Sequence, residues 1–200
     1  MPYGLEFSSG RKGTLPTPTA TTSSIDIYCV FSFPVLGSSP QHVVGTNNFR
    51  FDRNGVIVTP SGEIQIGDNS TARITNGLNS FTAGDIVVVT YTNDGTTESL
   101  DVNGLAVSRT PNRIDGLYDT LGISGNNYPY AGVIRELEIT IDGVKTIQMT
   151  TSQSTGNVSW QNLVGNDYAL TGFTGTANSW WVFYSTGIAV TGATPNYNYA

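Results

Sequence analysis

The sequence predicts an all-β fold, an antiparallel two-sheet β-sandwich of jelly-roll type, and three observations carry that prediction. Apolar residues recur with period two rather than the helical period of about 3.6. Asn-Gly and Asp-Gly pairs punctuate the chain at short intervals. Charged residues make up only 12 % of it, while Thr, Gly, Ser and Asn are abundant, a mix that favours strands joined by polar turns over charge-laced helices.

The alternation is clearest from Val133 to Ile141, where Val133, Arg135, Leu137, Ile139 and Ile141 alternate with Ile134, Glu136, Glu138 and Thr140. One side is apolar and the other mostly polar, as a half-buried strand requires. Asn48-Phe49-Arg50-Phe51-Asp52 alternates in the same way. Ile86 to Tyr91 is apolar at nearly every position and β-branched, which predicts a central strand covered on both faces. Turn signals separate the runs: Asn54-Gly55, Asn76-Gly77, Asp94-Gly95, Asn103-Gly104 and Asp142-Gly143. Such pairs accept positive φ at low cost, and tight hairpins need that. Asn103-Gly104, between Ser99–Val102 and Leu105–Ser108, is the strongest hairpin signal. No helix longer than a turn is expected, and many short strands with regular turns indicate a sandwich or jelly roll.

The chain has 200 residues, the size of one sandwich domain, and such a domain buries roughly 70 % of the surface its unfolded form exposes. We expect a single domain over residues 1–187, with residues 13–24 a Thr/Pro-rich extended segment and 188–200 a C-terminal tail held by the domain or by a neighbour. The net charge is −6 and the basic residues are scattered, which argues against nucleic acid as a partner and against acidic membranes and polymers. Cys29, the one cysteine, lies in the apolar run Ile25–Phe31 and is expected to behave as a small buried hydrophobe. Met1–Phe7 lacks the basic and apolar regions of a signal peptide. No apolar stretch approaches the roughly 20 residues needed to cross a bilayer, so membrane insertion is not expected.

The order of segments resembles the concanavalin A-like lectin/glucanase superfamily, especially its laminin-G and pentraxin-like members. Leu5–Gly10 followed by Leu15-Pro16 resembles that family's first strand, and Ser24–Phe33 its second. Phe49–Ile66, with turns near Asn54-Gly55 and Ser61-Gly62, is similar to its middle hairpins. Ile86–Gly95 followed by Leu100–Gly104 is the most specific match, a strand ending in Thr-Tyr, a turn, and a strand ending in Val-Asn-Gly. Leu121–Gly125 and Tyr130–Ile139 look like its closing strands. The resemblance covers residues 1 to about 145 and implies a fold more than a function. Ser154–Asn157, Asn162 and Leu170–Phe173 faintly resemble a lead-in found before such domains elsewhere.

Each chemical candidate stands beside a plainer reading. An enzyme on this fold would resemble the glucanases, whose acidic residues follow Glu-x-Asp-x-x-Glu spacing. Glu136 and Glu138 lie on one face of a strand, about 7 Å apart, and could place an acid and a base. Thr140 and Ile141 break the pattern, so two solvated or structurally paired carboxylates is the favoured reading and no catalytic residue is expected. His42, the one histidine, is assigned to a loop or a strand edge, with neither a triad nor a zinc set around it. Some laminin-G relatives bind calcium through loop aspartates. Asp68, Asp94 and Asp119 are available, but no clustered spacing marks a loop. No cofactor is expected, calcium being the one alternative left open.

The aromatic residues say more. Sugar rings stack on exposed Trp and Tyr faces while Asn and Asp bond the hydroxyls, and Asn126, Asn127, Tyr128 and Tyr130 form a candidate glycan site of that composition. Adjacent Trp180 and Trp181 on a strand point to opposite faces, so Trp180, Trp181, Phe183, Tyr197 and Tyr199 are candidates for docking a partner. Burial of both tryptophans between sheet and tail is the plainer alternative.

Together these features point to a non-enzymatic surface or structural protein of a bacteriophage virion, such as a capsid decoration protein or a tail or fibre module. It would be made in the host cytoplasm and displayed on the particle. Its expected partners are identical subunits or other virion proteins, with host-surface glycans as compatible ligands. A carbohydrate-binding module or lectin is the alternative, and a glycan hydrolase or lyase a third.

Overall fold

The structure, a computed structural model, describes residues 3–15, 23–46, 55–67, 74–77, 80–111, 118–123, 128–149, 159–173 and 181–183. In chain order its strands are β1 Tyr3–Phe7, β2 Lys12–Thr14, β3 Ile25–Ser32, β4 Gln41–Gly45, β5 Gly55–Val58, β6 Ile64–Gly67, β7 Ile74–Thr75 and β8 Ile86–Asn93. They continue as β9 Glu98–Val102, β10 Leu105–Arg109, β11 Thr120–Leu121, β12 Gly132–Ile141, β13 Val144–Met149, β14 Ser159–Trp160, β15 Tyr168–Thr171 and β16 Trp181–Phe183. The described residues contain no helix.

The strands form two antiparallel sheets. The first runs β10-β9-β8-β3-β12-β1-β16, with β13 also paired to β12; the second runs β14-β15-β2-β11-β4-β5-β6-β7. Leu5, Phe7, Ile27, Phe31, Val87, Val89, Leu137 and Ile139 of the first sheet meet Val44, Val56, Ile64, Leu121 and Trp160 of the second in one core. This is the all-β sandwich that the alternation predicts.

Local chemistry explains the tightest turns. Leu105 pairs with Val102 across a two-residue turn, in which Asn103 has φ 51° and Gly104 φ 87°. Val144 pairs with Ile141 in the same way, with Asp142 at φ 50° and Gly143 at φ 76°. Both are the turns expected from Asn-Gly and Asp-Gly, because two successive positive φ values match the twist of the flanking strands.

Three expectations need correction. First, Ile86–Tyr91 is not covered on both faces: Ile86 and Thr90 are exposed while Val87, Val89 and Tyr91 are buried. The strand is central within its sheet, between β3 and β9, but only its inward side meets the other sheet. Second, the alternation of β12 changes phase. Ile134 is fully buried and Val133 only half-buried, whereas Leu137, Ile139 and Ile141 are buried. The pairing with β3 skips from Ile134↔Phe31 to Glu136↔Val30, so Arg135 is an extra bulged residue that swaps the two faces. Third, His42 is neither in a loop nor at a sheet edge. It lies in β4, between β11 and β5, and is 1 % exposed.

Residues beyond the resemblance complete the sandwich. β15 pairs with β2, β14 pairs with β15, and Trp160 and Tyr168 are fully buried in the common core. β16 pairs with β1 in the other sheet. The N-terminal strands are thus flanked in both sheets by C-terminal ones. Gly13 and Thr14 of the segment expected to be extended belong to β2, and Leu15 is buried. Residues 16–22, the strand expected at 48–52 and the tail 188–200 lie outside the described residues.

Candidate functional site

The site begins with the loop that follows β11, the strand between β2 and β4 in the second sheet. Tyr128 and Pro129 keep surface in solvent while Tyr130 is fully buried. In an extended chain residues two apart share a face; here Tyr128 has φ 60°, and the turn it imposes sends the two rings to different environments. A bulky residue at positive φ is uncommon and is held only where its surroundings over-determine it.

Those surroundings are specific. The His42 amide donates to the Tyr128 carbonyl at 3.1 Å, and the Tyr130 amide donates to the Gly122 carbonyl at 2.8 Å. Gln41 ties the loop to the one before β4: its Nε2 donates to the Val35 carbonyl at 2.7 Å, and its Oε1 accepts from the Ala131 amide at 3.0 Å. The Tyr128 ring lies on the His42 imidazole with centroids 5.5 Å apart and planes 21° from parallel. One face of the phenol is therefore fixed against a buried group, and the opposite face is turned away from it. Val35, at 73 % exposure, and Leu36, at 42 %, leave apolar surface on the adjoining loop.

Tyr130 is part of the core. Its ring packs edge-on against Phe31, and its hydroxyl donates to the Ser32 carbonyl at 2.6 Å. Burial raises its pKa well above the usual phenol value. Gly132 makes room for it, since a Cβ there would sit 2.4 Å from the hydroxyl. The assignment of Tyr130 to the glycan site is therefore corrected: it is fully buried in the core, held there by the hydrogen bond of its amide to Gly122 and that of its hydroxyl to Ser32. Asn126 and Asn127 lie outside the described residues. Gln41 and His42 are participants that the sequence did not reveal, since nothing in Gln41-His42-Val43-Val44 signals contact with a loop more than eighty positions later.

Of the candidate docking residues, Trp180, Tyr197 and Tyr199 lie outside the described residues. The backbones of Trp181 and Phe183 are strand, paired with Leu5 and Tyr3 respectively.

Glu136 and Glu138 share the outward face of β12 beside Tyr28 of β3, which pairs with Glu138. Burial, then the charges of Glu136, Cys29 and Glu138, push the Tyr28 phenol above its usual pKa. Glu138 accepts from Lys145 Nζ at 2.8 Å and from Gln148 Nε2 at 3.2 Å. Lys145 is an intimate counter-charge, the arrangement of a structural pair. Of the candidate calcium ligands, Asp94 accepts from the amides of Thr96 and Thr97 at 2.8 and 2.7 Å, and those bonds hold its carboxyl below the usual pKa. Asp119 is buried, and Asp68 lies outside the described residues. Among the described residues no three His, Cys, Asp or Glu side chains gather as a metal set.

No family model matches the chain, and no curated protein matches its sequence. Among solved structures it is similar to a candidate carbohydrate-binding protein from Bacteroides ovatus, at TM-score 0.65 and 11 % identity, over 86 % of this chain and 58 % of that one. This chain thus spans less than two thirds of that structure. Looser likenesses, at TM-score 0.49, are to a heptameric SAP-like pentraxin from Limulus polyphemus and to tailspike protein 2 of an Escherichia coli O157:H7 bacteriophage. The pentraxin is 11 % identical over 69 % of this chain and 75 % of its own; the tailspike is 16 % identical over 69 % of this chain and 22 % of its own. At such identities the likeness is one of architecture. The sheet order above and the likeness to the Bacteroides structure make this chain an antiparallel jelly-roll β-sandwich.

Proposed function

We propose that this domain is a non-catalytic carbohydrate-recognition module in which Tyr128 supplies the stacking surface. One observation carries the reading: a tyrosine ring seated on a buried imidazole in a loop pinned by two main-chain hydrogen bonds and one to the Gln41 side chain, with part of the residue still in solvent. One face of a pyranose is largely C–H and packs on an aromatic face. A ring already immobilised loses little entropy when the sugar arrives. The name of the Bacteroides structure agrees with this class of ligand, and the counter-ion at Glu138 supports binding over turnover. No cofactor is proposed, so binding is expected to survive chelation with EGTA. Display on a phage particle is the compatible setting that the low charge and the Thr/Gly/Asn-rich composition suggest.

The test is an array of bacterial surface polysaccharides probed with the wild type, Tyr128→Ala and Tyr130→Phe. We expect Tyr128→Ala to weaken the wild-type hit by at least about tenfold, a loss of about 1.4 kcal/mol, and Tyr130→Phe to leave it unchanged. A wild type that binds nothing on the array, or a Tyr128→Ala variant that binds as well as the wild type, would refute the assignment.

A further inference from the structure

Tyr128 holds a conformation that large side chains rarely adopt, with φ 60°, so its loop keeps that shape only while other groups hold it there. Two of its ties are main-chain bonds, from the His42 amide to the Tyr128 carbonyl and from the Tyr130 amide to the Gly122 carbonyl. A third runs through a side chain. Gln41 opens β4 and is 9 % exposed. Its Oε1 accepts from the Ala131 amide at 3.0 Å, and its Nε2 donates to the Val35 carbonyl at 2.7 Å.

A carboxamide suits this bridge because it carries a donor and an acceptor on one rigid plane. Both partners belong to exposed residues, Val35 and Ala131, where water can take over a lost bond and no bare polar group is left in the core. The bridge therefore contributes less to the sandwich than to the place its two loops occupy.

We propose that Gln41 is a positioning residue of the sugar site, resting on the glycan reading of Tyr128: it sets affinity by keeping the Tyr128 ring on the His42 imidazole and touches no ligand itself. The stacked rings have centroids 5.5 Å apart, and the Ala131 bond closes the loop just beyond them. Released at Ala131, the loop lets Tyr128 relax from positive φ, and the ring then spends part of its time off the imidazole. Apparent affinity falls with the fraction of molecules that keep the competent arrangement. The Val35 bond completes the device by fixing the carboxamide, so that its oxygen stays turned to Ala131.

Gln41→Met keeps an unbranched side chain of similar length and loses the carboxamide. Without ligand, the nuclear Overhauser effect between the Tyr128 ring and His42 imidazole protons should be clear in the wild type and weaker in this variant. Binding to the array of bacterial surface polysaccharides is then read for the wild type, Gln41→Met, Tyr128→Ala and the double variant. We expect Gln41→Met to weaken the wild-type hit by at least about threefold. It should cause no further loss once Tyr128 is alanine, because a residue acting only through that ring then has nothing to position. A side chain that merely supported the fold would weaken both backgrounds alike. Independently of any variant, the wild-type Ala131 amide should exchange its hydrogen slowly. An undiminished Overhauser effect, wild-type affinity in Gln41→Met, equal losses with and without the Tyr128 ring, a variant that fails to fold, or Ala131 exchange as fast as in an open chain would overturn the proposal. Undiminished binding by Tyr128→Ala refutes the glycan reading and this role together, whereas loss at Tyr128 without loss at Gln41 refutes the positioning alone.

Discussion

Tyr130 and Tyr128 stand two residues apart in one loop and do opposite work. The Tyr130 hydroxyl bonds the Ser32 carbonyl inside the sandwich, while Ser32 Oγ accepts from the Val133 amide at 2.8 Å. Tyr130→Phe leaves the Ser32 carbonyl short of that donor, and we expect it to lower stability by about 1–2 kcal/mol, measured by urea unfolding. Tyr128→Ala removes a half-buried ring and should cost less than a core truncation, which runs to about 3–5 kcal/mol for an aromatic. The two variants therefore differ in binding: Tyr130→Phe lowers stability and keeps the ligand, whereas Tyr128→Ala loses the ligand.

At the scale of the element, the β9–β10 hairpin depends on Asn103 for more than its backbone angle. Asn103 Oδ1 accepts from the Val88 amide at 2.7 Å, and its Nδ2 donates to the Ile86 carbonyl at 3.1 Å. One side chain thus clamps the turn onto the start of β8. Asn103→Ala loses both bonds and places a residue with no polar group at φ 51°, which Asn tolerates better. We expect a loss of about 1–3 kcal/mol, read as a lower urea midpoint, with faster amide exchange through β9 and β10. Unchanged midpoint and exchange would show that the turn, and not the clamp, sets the hairpin's stability.

For the whole molecule, the core holds several buried phenols. Burial raises the pKa of Tyr91, Tyr130 and Tyr168 well above their usual 10.0. Tyr91 also donates to the buried carboxylate of Glu98 at 3.0 Å, and the charge of Asp119 adds to the shift at Tyr168. Below the unfolded phenol pKa both states hold these protons, and their stabilising effect is complete. Above about pH 10 the unfolded chain releases three protons that the folded one keeps, so stability falls with pH, by up to about 4 kcal/mol per unit for three such groups. Alkaline titration followed by phenolate absorbance and circular dichroism should therefore show these tyrosines ionising together with loss of the β signal. Ionisation of all 10 tyrosines with the β signal intact would contradict this.

What the sequence determined by itself was local. Period-two alternation, Asn-Gly and Asp-Gly pairs and sparse charge identify strands and turns, because side-chain direction and positive φ are properties of neighbouring residues. The hairpins at Asn103-Gly104 and Asp142-Gly143, the all-β class, the burial of Cys29 and Tyr128 as an aromatic with solvent access were legible on that basis. Only the tertiary structure decided which strands became neighbours and hence which faces were covered. The bulge at Arg135, the outward exposure of Ile86, the closure of the second sheet by Trp160 and Tyr168, the burial of Tyr130 and the seat that His42 gives Tyr128 all depend on partners distant in the chain. Burial belongs to the pair of surfaces that meet, and a single segment carries only its own half of that information.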